Sequence, residues 1–290
     1  MTVQVYAHRG SSGHFAEHTR AAYLQALADG ADGVECDLHL TADGHLVLLH
    51  DDDVDRTSDG TGPVAEKTLA ELRGLDFSSW KGTAIPEEFG GTAEQLLTLG
   101  ELLDILAGAG RPVGLAIEFK YGALFDAALV DAALSLLAGR GWSADAGPSA
   151  LGAGNVGVSF MSFHPDAVKY LAERVPAELV CQLLEEVEVG EVREELDVGP
   201  IAGHTVAFFM RRAVAEGESL LDRGVAHLAG PGVDYLRANP EKTAGWLAAG
   251  RRFRVWTVDT EEELRLCLEA GVAEVTTNRP AEIKALLSGM

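Results

Sequence analysis

The chain has 290 residues, 47% of them hydrophobic, which is enough for a sizeable core and for one large α/β barrel or two ordinary domains. Its formal net charge of −22 argues against nucleic acid and against an anionic membrane surface, since both require clustered Lys and Arg. An anionic substrate would have to be held by a local positive site working against the overall field.

Taken in chain order, the apolar spacing predicts a strand at 3–7 with no basic, apolar or cleavable leader before it, then a helix at 19–28. The next strand, 33–40, reads Gly33-Val34-Glu35-Cys36-Asp37-Leu38-His39-Leu40. Alternate residues of a strand share a face, so Val34, Cys36, Leu38 and Leu40 oppose Glu35, Asp37 and His39. Two carboxylates one pleat apart repel, and burying either unpaired is costly or forces it to take a proton. A divalent metal, an arginine or solvent is expected between them.

A Gly-containing turn at 41–44 leads back into a strand at 45–49, giving a hairpin. The stretch 51–91 is rich in Asp, Gly, Ser, Thr and Pro, with a short helical piece at 68–73. It reads as an insertion over one end of the fold. Helices follow at 100–107, 124–138, 165–174, 240–249 and 260–269. Strands are predicted at 113–119, 156–160, 179–183, 254–258 and 273–276, and 141–154 reads as a flexible linker. Strand and helix in repeated alternation imply parallel strands with covering helices. The length suits a single (β/α)8 TIM barrel across 1–290, with an open doubly wound sheet as the alternative.

Cys36, Cys181 and Cys267 are odd in number and far apart, the pattern of reduced thiols. No apolar run reaches the roughly 20 residues that span a bilayer. A cytoplasmic protein without a membrane span is expected.

Polar residues gather at predicted C-terminal strand ends, where barrel active sites lie. They are His8 and Arg9; Glu35 and Asp37; His50; Glu118 and Lys120; and Trp256. Each has an ordinary explanation: a hydrogen-bonded structural histidine, an ion pair across a pleat, a core tryptophan. Together they are harder to explain, because barrel strands covered on both faces should read as nearly unbroken apolar runs. Three carboxylates without Cys or His ligand spacing suit Mg²⁺ or Ca²⁺. Arg9 and Lys120 suit phosphoryl oxygens. Two imidazoles could divide the proton work of phosphoryl transfer.

The sequence resembles the glycerophosphodiester phosphodiesterase family. The resemblance is carried by Ala7-His8-Arg9-Gly10, Glu17-His18-Thr19, the strand 30–38, the hairpin 41–51 and Asp55-Arg56-Thr57-Ser58-Asp59-Gly60-Thr61-Gly62. Glu118-Phe119-Lys120, Ser159-Phe160 and Val255-Trp256-Thr257-Val258-Asp259 match more weakly. It implies a TIM barrel with a small insertion after the second-strand hairpin, and hydrolysis of glycerophosphodiesters to glycerol 3-phosphate and an alcohol. By position, Glu35, Asp37 and Glu118 would hold the metal and His8 and His50 would be the acid–base pair. Arg9 and Lys120 would contact phosphate, Glu17 would assist through the metal or glycerol, and Trp256 would wall the glycerol.

Three positions depart from the family pattern: His18 and Asp259 stand where Asn is usual, and Asn278 where Asp is usual. The alternatives are a lysophospholipase D or sphingomyelinase D-like enzyme, and a non-catalytic protein that binds metal and phosphodiesters. Oligomeric state is not legible.

Overall fold

The computed structural model describes residues 3–122, 124–144, 154–195 and 199–290. The strands are β1 (Gln4–Ala7), β2 (Gly33–Leu40), β3 (Leu46–Leu48), β4 (Val113–Phe119), β5 (Val156–Ser162), β6 (Val180–Leu184), β7 (Leu228–Pro231), β8 (Arg252–Val255) and β9 (Glu274–Thr277). β1 pairs in parallel with both β2 and β9, which closes the sheet in the order β1-β2-β4-β5-β6-β7-β8-β9. These eight parallel strands form a TIM barrel, and β3 lies antiparallel to β2 as the second arm of the expected hairpin. The open-sheet alternative is thereby overturned.

The helices are α1 (Arg20–Ala28), α2 (Leu69–Leu72), α3 (Leu99–Ala107), α4 (Ala128–Gly139), α5 (Pro165–Ala172), α6 (Val189–Glu195), α7 (Pro200–Asp222), α8 (Val233–Ala238), α9 (Pro240–Ala248), α10 (Glu261–Glu269) and α11 (Pro280–Gly289). Local chemistry sets where several begin. Thr98 with Glu101 and Thr260 with Glu263 form capping boxes, which satisfy otherwise unpaired N–H groups at the starts of α3 and α10. Proline opens α5, α7, α9 and α11, where its missing N–H costs nothing.

The main core lies between sheet and helices, with Val34, Cys36 and Leu38 from β2 packed among Tyr23, Leu102 and Leu106. Inside the barrel, Tyr6, Ala116, Met161, Cys181, Leu183 and Leu228 form a second apolar cluster. Below them a buried ion pair crosses the lumen. Arg254 Nε donates to Glu274 Oε2 at 2.8 Å, and its Nη1 donates to Ser159 Oγ at 3.1 Å. The guanidinium carbon lies 4.0 Å from the Tyr6 ring centre.

Between β3 and α3 the chain forms short 3₁₀ turns around α2. Val54, Val64, Leu72 and Phe77 pack on Val47 and Leu49 in a small separate core. This segment is tied to the β1–α1 loop: Lys81 Nζ donates to the Ser12 carbonyl at 2.8 Å and Thr83 Oγ1 to that of His14 at 2.7 Å.

The predicted strand 254–258 is displaced, since β8 ends at Val255. β7, α6, α7, α8 and α11 were not among the expected elements. The predicted linker 141–154 falls largely on residues 145–153, outside those described.

Candidate active site

β2 and β4 pair with Asp37 beside Glu118, so the strand register alone sets two carboxylates side by side. Glu35 lies one pleat below on the same lumen face. All three are buried. One oxygen from each (Glu35 Oε1, Asp37 Oδ1 and Glu118 Oε1) is sealed from solvent; no donor meets that of Glu35, and the Lys120 ammonium faces the other two. One ligand oxygen from each carboxylate lies within 4.8 Å of the other two. Buried carboxylate oxygens converging in this way, with a single ammonium shared between two of them, fit a hard divalent cation.

Two cations face this group. Lys120 Nζ is 2.6 Å from Glu118 Oε1 and 3.3 Å from Asp37 Oδ1, and Arg9 Nε is 3.3 Å from Asp37 Oδ2. Three carboxylates against two cations leave the cluster short of positive charge, and the titration shifts record it. Burial, reinforced by Asp37 and Glu118, pushes the Glu35 carboxyl well above its ordinary range. Burial carries Glu118 up to about 7 against the pull of Lys120. Burial opposes ionisation of Asp37 too, yet Lys120, His18 and Arg9 together hold it well below its usual value.

The β1–α1 loop supplies the next layer. Arg9 and His18, at φ 55° and 60°, are non-glycine residues in the left-handed region, and both reach Asp37. Such strain persists only where surrounding contacts over-determine it. Gly10 (φ 81°) lets the loop lie on α1, where a Cβ would come 2.6 Å from the Ala22 carbonyl carbon. His18 Nε2 is 2.9 Å from Asp37 Oδ2 and its Nδ1 is 2.9 Å from Tyr23 Oη, which donates to the Glu35 carbonyl at 3.1 Å. The Arg9 backbone N–H donates to Glu35 Oε2 at 3.0 Å.

The histidines flank a cavity of about 190 Å³ that is also lined by Arg9, Glu118, Lys120 and Trp256. His8 Nε2 is 4.0 Å from Glu35 Oε2, and its Nδ1 is 2.9 Å from Asn278 Oδ1. His50 Nδ1 donates to Asp51 Oδ1 at 2.6 Å. Burial, then the nearby Arg9, lowers His8 to about 3, and burial with Lys120 lowers His50 to about 4. Both shifts favour the neutral ring at pH 7. Trp256 meets Phe163 edge to face at 5.4 Å between centroids, giving the cavity one apolar wall.

Glu17 stands one step back from the cluster. Arg9 Nη1 donates to its Oε1 at 3.0 Å, and Arg56 donates to both of its oxygens and to both of Asp51. An unbroken polar chain therefore runs from His50 through Asp51, Arg56, Glu17 and Arg9 to Asp37. The structure brings together all nine candidate residues, with Glu17 at the edge. Asp51, Arg56, Tyr23 and Phe163 also take part, and the sequence reading gave none of them a role in the site. A carboxylate directly after a strand-end histidine was the available signal for Asp51.

The profile of the glycerophosphoryl diester phosphodiesterase family matches residues 8–282. A Mycobacterium tuberculosis protein named probable glycerophosphodiester phosphodiesterase 1 is 35% identical over 283 residues, covering 98% of this chain and 92% of its own length. A Bacillus subtilis glycerophosphodiester phosphodiesterase is 28% identical, covering 94% of this chain and 83% of its own. Among solved structures, an Oleispira antarctica phosphodiesterase in complex with sn-glycerol-3-phosphate superposes with a TM-score of 0.72 at 24% identity, covering 98% and 96% of the two chains. At that identity the likeness is one of fold. Among the described residues, no helix is long and apolar enough to cross a membrane.

Proposed function

This chain belongs to the glycerophosphoryl diester phosphodiesterase family, and from that premise we propose that it hydrolyses glycerophosphodiesters to glycerol 3-phosphate and an alcohol, using a divalent cation, Mg²⁺ or Ca²⁺. The observation that carries the reading is the buried triad Glu35, Asp37 and Glu118, whose ligand oxygens converge within 4.8 Å beside a small cavity lined by Glu118, His8 and His50.

In this reading Glu35, Asp37 and Glu118 hold the cation, which when bound supplies Lewis-acid polarisation of a phosphoryl oxygen. With a dication held there, the carboxylates, Lys120 and Arg9 would carry a small net positive charge, which would suit the single negative charge of a phosphodiester. Lys120, which lines the cavity, would meet a phosphoryl oxygen, and Arg9 would present N–H groups beside it. Trp256 and Phe163 keep water off the glycerol side.

His8, neutral and facing the cluster, takes the proton of the nucleophile. His50 returns one to the departing alkoxide, and the approaching diester anion favours the protonated ring it needs. Asp51 holds His50 through Nδ1, so Nε2 is the atom that handles that proton. Glu17 acts through Arg9, which it fixes beside Asp37. The chain is read as one catalytic unit in which 51–91 supplies Asp51 and Arg56 behind His50 and Glu17. Its three buried free thiols fit a cytoplasmic setting.

The test is release of glycerol 3-phosphate from glycerophosphocholine and glycerophosphoethanolamine with Mg²⁺, Ca²⁺ or EDTA. Metal-dependent release is expected. Equal release in EDTA would remove the cation from the reading, and no release from folded protein would remove the substrate class.

A further inference from the structure

Two hydrogen-bonding groups stand in line behind His8. Asp259, just beyond β8, accepts at Oδ1 from Thr277 Oγ1 and from the Asn278 backbone N–H, both at 2.8 Å. Its second oxygen, Oδ2, lies 2.6 Å from Asn278 Nδ2. The far end of that amide, Oδ1, lies 2.9 Å from His8 Nδ1 and 2.8 Å from Ser12 Oγ. Both members of the pair are residues at which the chain departs from the family pattern, and they touch each other.

The direction of each hydrogen bond follows from what each group can do. An ionised carboxylate only accepts, so the NH₂ end of Asn278 must face Asp259. The carbonyl end must then face His8, and an amide oxygen also only accepts. His8 therefore carries its hydrogen on Nδ1, and in the neutral ring Nε2 is left with a bare lone pair on the side facing Glu35. An amide alone would satisfy either tautomer by rotating half a turn, which is why such groups are assigned from their networks. The carboxylate of Asp259, held by two donors of its own, removes that freedom.

We propose that Asp259 and Asn278 are positioning residues that lock His8 in the tautomer with hydrogen on Nδ1 and so aim an unprotonated Nε2 at the carboxylate cluster. The catalytic consequence rests on the reading of His8 as the proton acceptor, whereas the tautomer itself does not. A ring held in the opposite tautomer presents N–H where a base is needed and loses turnover while still binding substrate.

The experiment is ¹⁵N NMR of histidine-labelled protein at pH 7, with His8 assigned by comparison with His8→Gln. The expected wild-type spectrum shows a protonated Nδ1 and a bare Nε2 on His8. In Asp259→Leu the amide is released, and a mixture of tautomers or the Nε2–H form is expected. Turnover should fall about ten- to a hundredfold, with KM within about threefold. Asn278→Leu, which removes the acceptor and leaves Asp259 in place, should give the same mixture.

Exchanging the two residues, Asp259→Asn with Asn278→Asp, restores an amide–carboxylate contact and an acceptor facing Nδ1. It should recover turnover to within about tenfold of wild type, while Asn278→Asp alone sets two carboxylates in contact and should not. An Nε2–H ring in the wild type, or an unchanged ring in both Leu variants, overturns the proposal. Full activity in His8→Gln would instead overturn the role given to His8 and leave the tautomer result standing.

Discussion

Asp37 and Glu118 are register partners on neighbouring parallel strands, and the ammonium of Lys120 lies within 3.3 Å of both. The positive charge shared by the two carboxylates thus comes from the residue just beyond the end of β4.

From this arrangement, Glu118→Gln should weaken Mg²⁺ or Ca²⁺ binding by at least about tenfold, since even outer-shell changes cost ~10–100-fold in affinity. Calorimetric titration of wild type and variant measures it. Saturating cation should also raise the melting temperature of the wild type. Equal affinity in the two proteins would mean that Glu118 is no ligand.

His50→Ala should lower turnover by at least ~10²-fold, the usual cost of losing an acid–base group. The melting temperature should change little, because the ring is half-exposed. A steady-state assay beside a thermal melt separates loss of chemistry from loss of fold. Near-normal turnover would leave His50 without its role.

Acid sensitivity should depend on Arg56. Burial pushes Glu17 and Asp51 upward, but hydrogen bonds from Arg56 outweigh it and hold both near 2. Groups depressed in the folded state contribute stability that is complete above their unfolded values, 4.5 and 3.8, and lost as pH falls towards about 2. Arg56→Met should flatten that acid limb and lower stability at pH 7 by about 1 kcal/mol, because Arg56 is itself largely exposed and its pairs are screened by solvent. Urea melts between pH 7 and 2.5 would show whether the two curves converge at low pH, as expected.

A cavity of about 190 Å³ has room for a glycerol phosphate unit and falls short of the ~300–1,000 Å³ usual for drug-sized ligands. Glycerophosphocholine should therefore be hydrolysed faster than lysophosphatidylcholine. The apolar surface a lipid would want is present on α7, where Ile201, Phe208 and Phe209 are exposed. Replacing Phe208 and Phe209 by Ser should leave the glycerophosphocholine rate unchanged. A lysophosphatidylcholine rate that exceeds it in the wild type and collapses in the double variant would establish the lipid reading.

Gly114→Ala should destabilise the barrel by about 1–3 kcal/mol, the range for overpacking a filled core. A Cβ there would sit 2.3 Å from the Tyr6 hydroxyl, and Tyr6 is fixed by the Arg254 guanidinium over its ring. A thermal melt compares the proteins. No loss of stability would show that the lumen yields at this level.

The sequence made the metal-site candidates readable because strand periodicity is short and local. A period of two puts Glu35 and Asp37 on one face, and the same reasoning picks out Glu118 with Lys120. β7 escaped because Leu228-Ala229-Gly230-Pro231 has the composition of a turn. Its glycine is there for packing: a Cβ on Gly230 would lie 2.7 Å from Cys181 Sγ inside the barrel. α7 escaped because its first turns carry Ile201, Phe208 and Phe209 outward and blur the one-sided pattern that marks a helix. His18 was visible only as an odd residue, since its two partners, Asp37 and Tyr23, meet it through the bend at Arg9. Asp259 and Asn278 were visible as two unrelated departures. Only the closing of the β8–β9 end of the barrel shows that they form a single contact.

The two imidazoles do not share a foundation. His8 leaves the end of a barrel strand, beside the carboxylates and braced by Asn278 at the end of the neighbouring β9. His50 stands where β3 gives way to the segment that rests on the β1–α1 loop through Lys81 and Thr83. Drift in that segment would carry one nitrogen away while the three carboxylates kept their spacing. If the proposed cation binds there, the two histidines would answer to different supports, and cation affinity and turnover would be separately adjustable.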